Sequence, residues 1–404
     1  MDYVPVPLAL LDIGKPLPVD IWAPDGRLLL RKGQAIESEQ HKELLKAHQA
    51  CVTSSDDHAW RKSFERMVYK MLRDGVDPQV IAHAGLPASI AEADYIEGKE
   101  MQGGWLDLQA ILQGLLYQGK VAINPLERLA SIENKVLELL KIDPDEALFI
   151  LFQALADSAL SYCATHALLV ASVCELTAEK LALAAPTGRV MLRAALVMNI
   201  SLAQEQDALA QQKSPLMEVQ KEEIRAHAQT SVEILQHLGV VDENQLDLVR
   251  WHREPDVSLG LPRNLEYRQI LQLADRFIAR MAARKTRPAM SPLGAAKSIF
   301  MSTASEHSNL GSAMTTCVGF YPPGTYVQLV NGEQAVVIER GARANTPHVA
   351  TLVNPSGMPL SKYIYRDTSE SQFAIRSPLN AESFKVKVNL DKVRKARHTR
   401  PTDD

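Results

Sequence analysis

This sequence predicts a mainly α-helical protein, with a helical core flanked by small β-rich domains on its N-terminal and C-terminal sides. Three observations predict it. From Trp105 to about Thr316 apolar residues recur at helical spacing, and several helix starts carry capping residues. Ahead of that stretch, two short apolar runs flank Pro24-Asp25-Gly26, a turn signal between strands. After Gly319, Val, Leu and Thr alternate around Asn-Gly and Pro-Ser-Gly turns.

At 404 residues, the chain exceeds one small core, and about 150 residues per domain gives a prior of roughly two to three domains. A hydrophobic fraction of 46% and a charged fraction of 23% suit a soluble globular protein. Aromatics are only 5%, so the cores must come from Leu, Ala, Val and Ile. The 44 Lys and Arg against 48 Asp and Glu leave a net charge of −4, which argues against a dedicated binder of nucleic acid or anionic membranes. Cys51, Cys163, Cys174 and Cys317 are dispersed without a CxxC pair, against a disulfide framework or a structural zinc site. MDYVPVPLALLDIGKPLPVD lacks a basic start and is broken by Pro5, Pro7 and Asp12, so no signal peptide is expected. No apolar run approaches 18 residues, so no membrane span is expected and the cytoplasm is the expected location.

Taken in order, residues 1–57 read as a small β-rich N-terminal domain built on the hairpin signal of VDIWAPDGRLLLRKGQAI. Residues 58–103 read as a connector with local helices, ending near Gly103-Gly104. Residues 104–316 form the helical domain. Within it Asp143-Pro144-Asp145-Glu146 supplies an N-cap, a proline in the first turn and an acid after it. Asp242 to Gln245 repeats the capping-box spacing, and Ser214-Pro215 is expected to open a further helix. Ala185-Pro186-Thr187-Gly188 is expected to close the helix before RVMLRAALVMNI. ALSYCATHALLVASVCELTAEKLALA, residues 159–184, is apolar or small nearly all round, which predicts a central buried helix. Residues 317–380 read as a small β domain. Residues 381–404 carry seven Lys or Arg between Lys385 and Arg400 against the single acid Asp391, which predicts a solvated, disordered basic tail.

The helical stretch also holds candidate chemistry. His166 lies in the buried helix, His227 follows QKEEIRA, His252 ends LDLVRW, and Asp275 sits in QILQLADRF. A bundle can converge such residues from four helices on a metal pocket; a histidine on an apolar helix is more often a hydrogen-bonded core residue. The sequence contains no GxGxxG after a strand, no GxxxxGK[ST], no HExxH and no GxSxG. Cys163, near His166 inside the buried helix, suits packing better than nucleophilic catalysis.

At these residues the chain resembles the HD-GYP family, bacterial helical phosphohydrolases that act as cyclic-di-GMP phosphodiesterases. YCATHALLVASVC is similar to the helix of the family's first histidine, and LRAALVMNISL falls where its AALLHDIGK block belongs. IRAHAQTSVEIL resembles the block of the next histidine, and VRWHREPDVSLGLP the HHE…D…GYP block. LQLADRFIARMAARKTRPAMSP follows ADVYDALTSDRPYRKAMSP without a gap. The resemblance covers about Trp105 to Thr316 and implies an HD-superfamily-like helical domain. The flanking β segments resemble modules often fused to this family.

The departures matter as much as the matches. By resemblance, the family's metal set is His, His-Asp, His, His-His and Asp. His166, His227, His252 and Asp275 stand on matching positions. Met198-Asn199 replaces the His-Asp pair, Leu202 replaces the lysine after it, and Trp251 replaces the first histidine of the His-His pair. Gly260-Leu261-Pro262 matches GYP only with one residue inserted. The aspartate of the pair is implied to bridge cations, which Asn199 cannot do as a neutral amide, and the Met198 thioether is a poor ligand for Fe or Mn. Without bridged metals little remains to lower the pKa of a water and clamp a phosphoryl displacement. Arg284 and Arg287 match the RPYR arginines, implied to face substrate phosphates; alternatively they form a solvated basic helix end.

The expectation is a catalytically degenerate signalling protein with no confident catalytic residue. It would sense cyclic di-GMP or hold a protein signalling partner, with no resident cofactor or at most one Fe or Mn ion. The competing expectation is an active metal-dependent cyclic-di-GMP phosphodiesterase in which Glu205, Asp207 or Glu254 replaces a lost ligand. A purely structural scaffold is the third.

Overall fold

The computed structural model describes residues 3–399 apart from 75, 91–103, 123, 255–257, 286, 288, 303–307, 382–383 and 385–387. The chain forms two compact units, Met1–Gln102 and Gly103–Asp404. It is mainly helical, with one small antiparallel sheet in each unit.

In the first unit, strands β1 (Tyr3–Pro5), β2 (Ile21–Trp22), β3 (Leu28–Leu30) and β4 (Cys51–Thr53) form a sheet in the order β1-β4-β2-β3. The turn between β2 and β3 uses Gly26 at φ +84°, with its amide donating to Ala23 O at 2.9 Å. Helix α1 (Glu39–Ala47) follows β3, and α2 (Ser54–Arg73) follows β4 directly. The segment after residue 57 is more than a connector. Thr53 caps α2, and Trp60 is buried in one core with Ile21, Ile36, Leu45, Val52 and Leu86. Trp60 Nε1 donates to Pro87 O at 2.9 Å, beyond the short helix α3 (Pro78–Ala82), so the apolar face of α2 completes this core. The remainder of the expected connector, residues 91–103, lies outside the described residues.

The second unit begins with α4 (Trp105–Gln118), α5 (Pro125–Ile142) and α6 (Pro144–Ala156). Asp143 caps α6 by accepting from Glu146 N at 2.8 Å, as its spacing predicts. Helix α7 (Tyr162–Lys180) is buried around almost its whole circumference and packs against α4, α6, α8 (Ala185–Val197), α12 (Leu265–Met281) and α14 (Ser308–Val318). The Ala185–Gly188 segment opens α8 rather than merely closing α7, because Pro186 is tolerated where an amide needs no partner. Helix α9 (Ala203–Gln211) precedes α10 (Glu218–His237), which starts three residues after Pro215. There Gln220 Oε1 accepts from Met217 N at 3.0 Å and takes the capping role expected of Ser214. Helix α11 (Glu243–Trp251) is capped by Asp242. After α12 comes α13 (Pro292–Ser302).

Strands β5 (Tyr326–Leu329), β6 (Gln334–Glu339), β7 (His348–Val353), β8 (Pro359–Asp367) and β9 (Ile375–Leu379) form an antiparallel sheet in the order β8-β7-β6-β5-β9. Alternation puts Tyr326, Val336, Ile338, Ala350 and Leu352 on one buried face and Val327, Leu329, Ala335, Val337 and Val349 on the other. The first face receives Phe149 of α6. Here the sequence expectation of a disordered basic tail fails. Helix α15 (Leu390–Arg397) buries Val393 and Ala396 against that same face. Its arginines meet carboxylates: Arg397 stands 2.8 Å from Asp143 and 3.0 Å from Glu339, and Arg394 stands 2.7 Å from Glu146. The run of like charge reads as solvated only until the acids of distant elements are counted.

Candidate functional site

Helix α7 supplies Tyr162 and His166, one turn apart on one face. His166 is buried; its Nε2 lies 2.9 Å from Asp275 Oδ1 of α12 and its Nδ1 lies 3.3 Å from the Tyr162 hydroxyl. Burial pushes the Asp275 carboxyl up, but the hydrogen bond and charge of His166, helped by the charge of Arg253, more than offset this and hold it down at about 2.

His227 of α10 and His252, just past α11, form a second pair. Their Nε2 atoms face each other at 3.2 Å, with ring planes crossed at 77°. Nδ1 of His227 lies 2.7 Å from Ile224 O and Nδ1 of His252 lies 2.7 Å from Val249 O. A carbonyl only accepts, so each Nδ1 carries the proton and each Nε2 presents a lone pair. Burial, then the neighbouring His252, pushes His227 down to about 4, and burial likewise lowers His252. Two neutral rings therefore aim acceptors at one point, an orientation that second-shell carbonyls give to metal-binding histidines.

The four sequence-predicted residues thus meet as two pairs. Among the described residues, no three His, Cys, Asp or Glu side chains stand in a group that would hold a metal ion. Met198 and Asn199 are both buried at the end of α8, followed by a single 3-10 turn, Ile200–Leu202, with Leu202 buried. Ser201 moors this segment to α10 by donating to the carbonyl of His227 itself at 2.9 Å. The local donor set is an amide and a thioether, so a carboxylate-bridged pair of cations does not fit here.

None of the three candidate replacement ligands fills the gap. Glu205 and Glu254 are exposed. Asp207 is committed elsewhere: its carboxylate accepts from the Tyr117 hydroxyl, from Ser161 Oγ at 2.7 Å and from Cys163 N at 2.7 Å. It closes the N-terminus of α7, where an anion is favoured by the helix dipole. Burial and this carboxylate raise the Tyr117 hydroxyl. Cys163 is buried, and burial raises its thiol, which suits packing.

Gly260, Leu261 and Pro262 lie in a tightly held loop. Gly260 has φ +66°, and a Cβ there would run into the Asp247 carboxylate, the Arg268 guanidinium and the Trp251 ring. Asp247 accepts from Leu261 N at 2.7 Å and Asn264 Nδ2 at 2.9 Å, and fully buried Arg268 donates to Leu259 O. Trp251 therefore packs beside this loop.

The two arginines have different surroundings. The Arg284 guanidinium stands 5.6 Å from the centre of the Tyr162 ring, with Nη2 3.5 Å from its hydroxyl. Its Nε is buried without a partner. Arg287 is exposed and donates from Nη2 to Ala279 O at 2.7 Å, satisfying a carbonyl in the last turn of α12. Sequence reasoning missed Tyr162, although its place four residues before His166 puts both on one helix face. It also missed Asp247 and Arg268, whose roles depend on a loop with no periodic signal.

Four segments of this helical domain, α7, α10, the end of α11 and α12, present histidine and aspartate side chains to the interior. Residues 163–280 match the family model of the HD domain. The chain therefore carries an HD domain, which spans α7 to α12 and contains all four candidate ligands. No curated protein matches the sequence. A solved structure of Bd1817, an HDGYP protein from Bdellovibrio bacteriovorus, is 15% identical over 78% of this chain and 98% of its own, with a TM-score of 0.40. No described helix is long and apolar enough to cross a membrane.

Proposed function

We propose that the protein is a degenerate HD-GYP-like signalling module that binds cyclic di-GMP without hydrolysing it and passes the signal to a protein partner. The observation that carries this reading is the donor set. His166 pairs with Asp275 and His227 with His252, while Met198 and Asn199, both buried, stand where the resemblance puts the family's bridging His-Asp pair. A carboxylate bridge is what would hold two cations around a nucleophilic water, and no neighbouring acid supplies it. Recognition needs no metal. Arg284, beside Tyr162 and His166, has a buried Nε still to be satisfied, and a guanidinium grips a phosphate diester through charge-assisted hydrogen bonds of about 1.5–3 kcal/mol each. The nucleotide bases would be held by neighbouring surfaces that the phosphate contact positions.

The experiment is anaerobic incubation of the full chain with cyclic di-GMP and Fe(II) or Mn(II), with linear products followed by chromatography and binding by calorimetry. The nucleotide is expected to stay intact, to bind, and to bind at least about tenfold more weakly to Arg284→Gln, a change of about 1.4 kcal/mol. Linear product well above a His166→Ala control sinks this reading. Absence of binding leaves only a structural scaffold.

A second reading, a metal-dependent phosphodiesterase with an altered ligand set, draws on one observation: the paired Nε2 lone pairs of His227 and His252. A single Fe or Mn ion bound there would supply a Lewis acid and a more acidic water. The turnover assay decides between the two readings.

A further inference from the structure

Arg276 and Arg280 lie four residues apart near the end of α12, on one face of the helix. Beyond that helix the chain reverses on itself: Arg284 N donates to Arg287 O and Arg287 N to Arg284 O, both at 2.9 Å. The reversal carries the Arg287 guanidinium back to Ala279 O at 2.7 Å, next in sequence to Arg280. Three guanidinium groups are thus gathered along the last turns of α12, none of them in an ion pair among the described residues. Arg276 and Arg287 are exposed; Arg280 is half-buried, and its Nη1 is buried without an acceptor.

Such a cluster is costly by itself. A buried guanidinium N–H left unpaired carries an uncompensated desolvation cost, and like charges add repulsion. Burial, then the charges of Arg276 and Arg287, lowers the Arg280 guanidinium, in keeping with three cations that share no counter-charge. Elsewhere in this unit arginines meet acids, as Arg340 meets Asp145 and Arg397 meets Asp143. In the ADVYDALTSDRPYRKAMSP pattern, valine and leucine occupy the positions of Arg276 and Arg280. Arg276 and Arg280 are therefore departures of this chain from that pattern, while Arg287 matches it.

We propose that Arg276, Arg280 and Arg287 form an oxyanion site for a phosphate-bearing ligand, separate from the contact that Arg284 makes with Tyr162. Planar guanidinium groups from a helix face and from the turn that follows it can reach one tetrahedral oxyanion from two sides, and the unpaired Nη1 of Arg280 gains an acceptor. The bound anion also neutralises the mutual repulsion of the three. The site does not rest on the cyclic-di-GMP reading: among the described residues none of its three arginines hydrogen-bonds to Tyr162 or His166, although the charge of Arg287 reaches the Tyr162 hydroxyl.

The test is calorimetric titration of the full chain with pyrophosphate in metal-free buffer, with Arg276→Gln, Arg280→Gln and Lys285→Gln alongside the unaltered protein. One pyrophosphate per chain is expected, at least about tenfold weaker in Arg276→Gln and in Arg280→Gln, and unchanged within about twofold in Lys285→Gln. Arg276 and Lys285 are exposed, so both substitutions leave the core intact even if Arg280→Gln unfolds. No saturable binding, or equal weakening by Lys285→Gln, overturns the proposal, since a diffuse positive surface behaves that way. A parallel cyclic-di-GMP titration of Arg284→Gln reports on the other site, so failure of one assignment is distinguishable from failure of the other.

Discussion

Asn199 differs from an aspartate by one amide nitrogen, and much of the functional argument turns on that atom. His166, His227, His252 and Asp275 lie within electrostatic reach of one another, and by resemblance an aspartate at position 199 would add a negative charge and two acceptor oxygens to that set. As the chain stands, anaerobic loading with Mn(II) or Fe(II) is expected to leave at most one tightly held ion per chain, measured by elemental analysis after desalting. The double substitution Met198→His and Asn199→Asp is expected to raise the count to two. A count of two in the unaltered protein defeats the reading of a depleted site. His166, His227, His252 and Asp275 were legible in the sequence because their spacing and the blocks around them fit a pattern. Their grouping into two pairs was not, since it depends on which face of each helix points inward. Asp207 shows the same limit: in sequence it is an acid near a depleted motif, and in the fold it accepts from Cys163 N in the first turn of α7, beside the N-cap Ser161.

Elements show how the sequence's cues were read and misread. The capping residues Asp143 and Asp242 marked helix starts correctly, because an N-cap is a local device. Residues 381–404 misled, because the acids that pair with Arg394 and Arg397 lie in other elements, Asp143 and Glu146 some 250 positions earlier and Glu339 58 positions earlier. Arg397 is largely buried between Asp143 and Glu339, so Arg397→Ala is expected to destabilise the second unit by about 1–2 kcal/mol in denaturant unfolding, less at high salt. A cost indistinguishable from that of a surface alanine would show that α15 is held by Val393 and Ala396 alone. Within the sheet, Glu333 accepts from Arg366 at 2.9 and 3.0 Å and from Thr351 at 2.8 Å. The Arg366 hydrogen bonds, opposed by burial, hold its carboxyl below the usual glutamate value. A carboxyl depressed in the folded state contributes stability that is full above its unfolded pKa, about 4.3, and is lost as pH falls through the folded value. Acid titration of unfolding is therefore expected to show a loss of stability below about pH 4.3 that is smaller in Glu333→Gln. An identical acid limb in both proteins excludes Glu333 as its source.

At the scale of the whole molecule, the sequence's alternation between β-rich and helical texture anticipated the mainly helical class and the two flanking sheets. It drew the first unit too short, because α2 looks like a helix that could belong anywhere. Only the fold shows Trp60 facing Ile21, Ile36 and Val52. That placement has a consequence for folding. A core that includes twelve buried residues among those described, from Val6 to Leu86, is closed by α2 and by the carbonyls of Pro87 and Ser89, which accept from Trp60 and Ser63. Small domains near 90 residues bury enough surface to be marginally stable alone. Residues 1–90 are therefore expected to fold as an isolated fragment, giving dispersed amide resonances and one cooperative thermal transition. Residues 1–57, which lack Trp60, are expected to give neither. If the shorter fragment folded equally well, α2 would be the connector that its sequence suggests, and the first unit would be a sheet-and-helix module complete at β4.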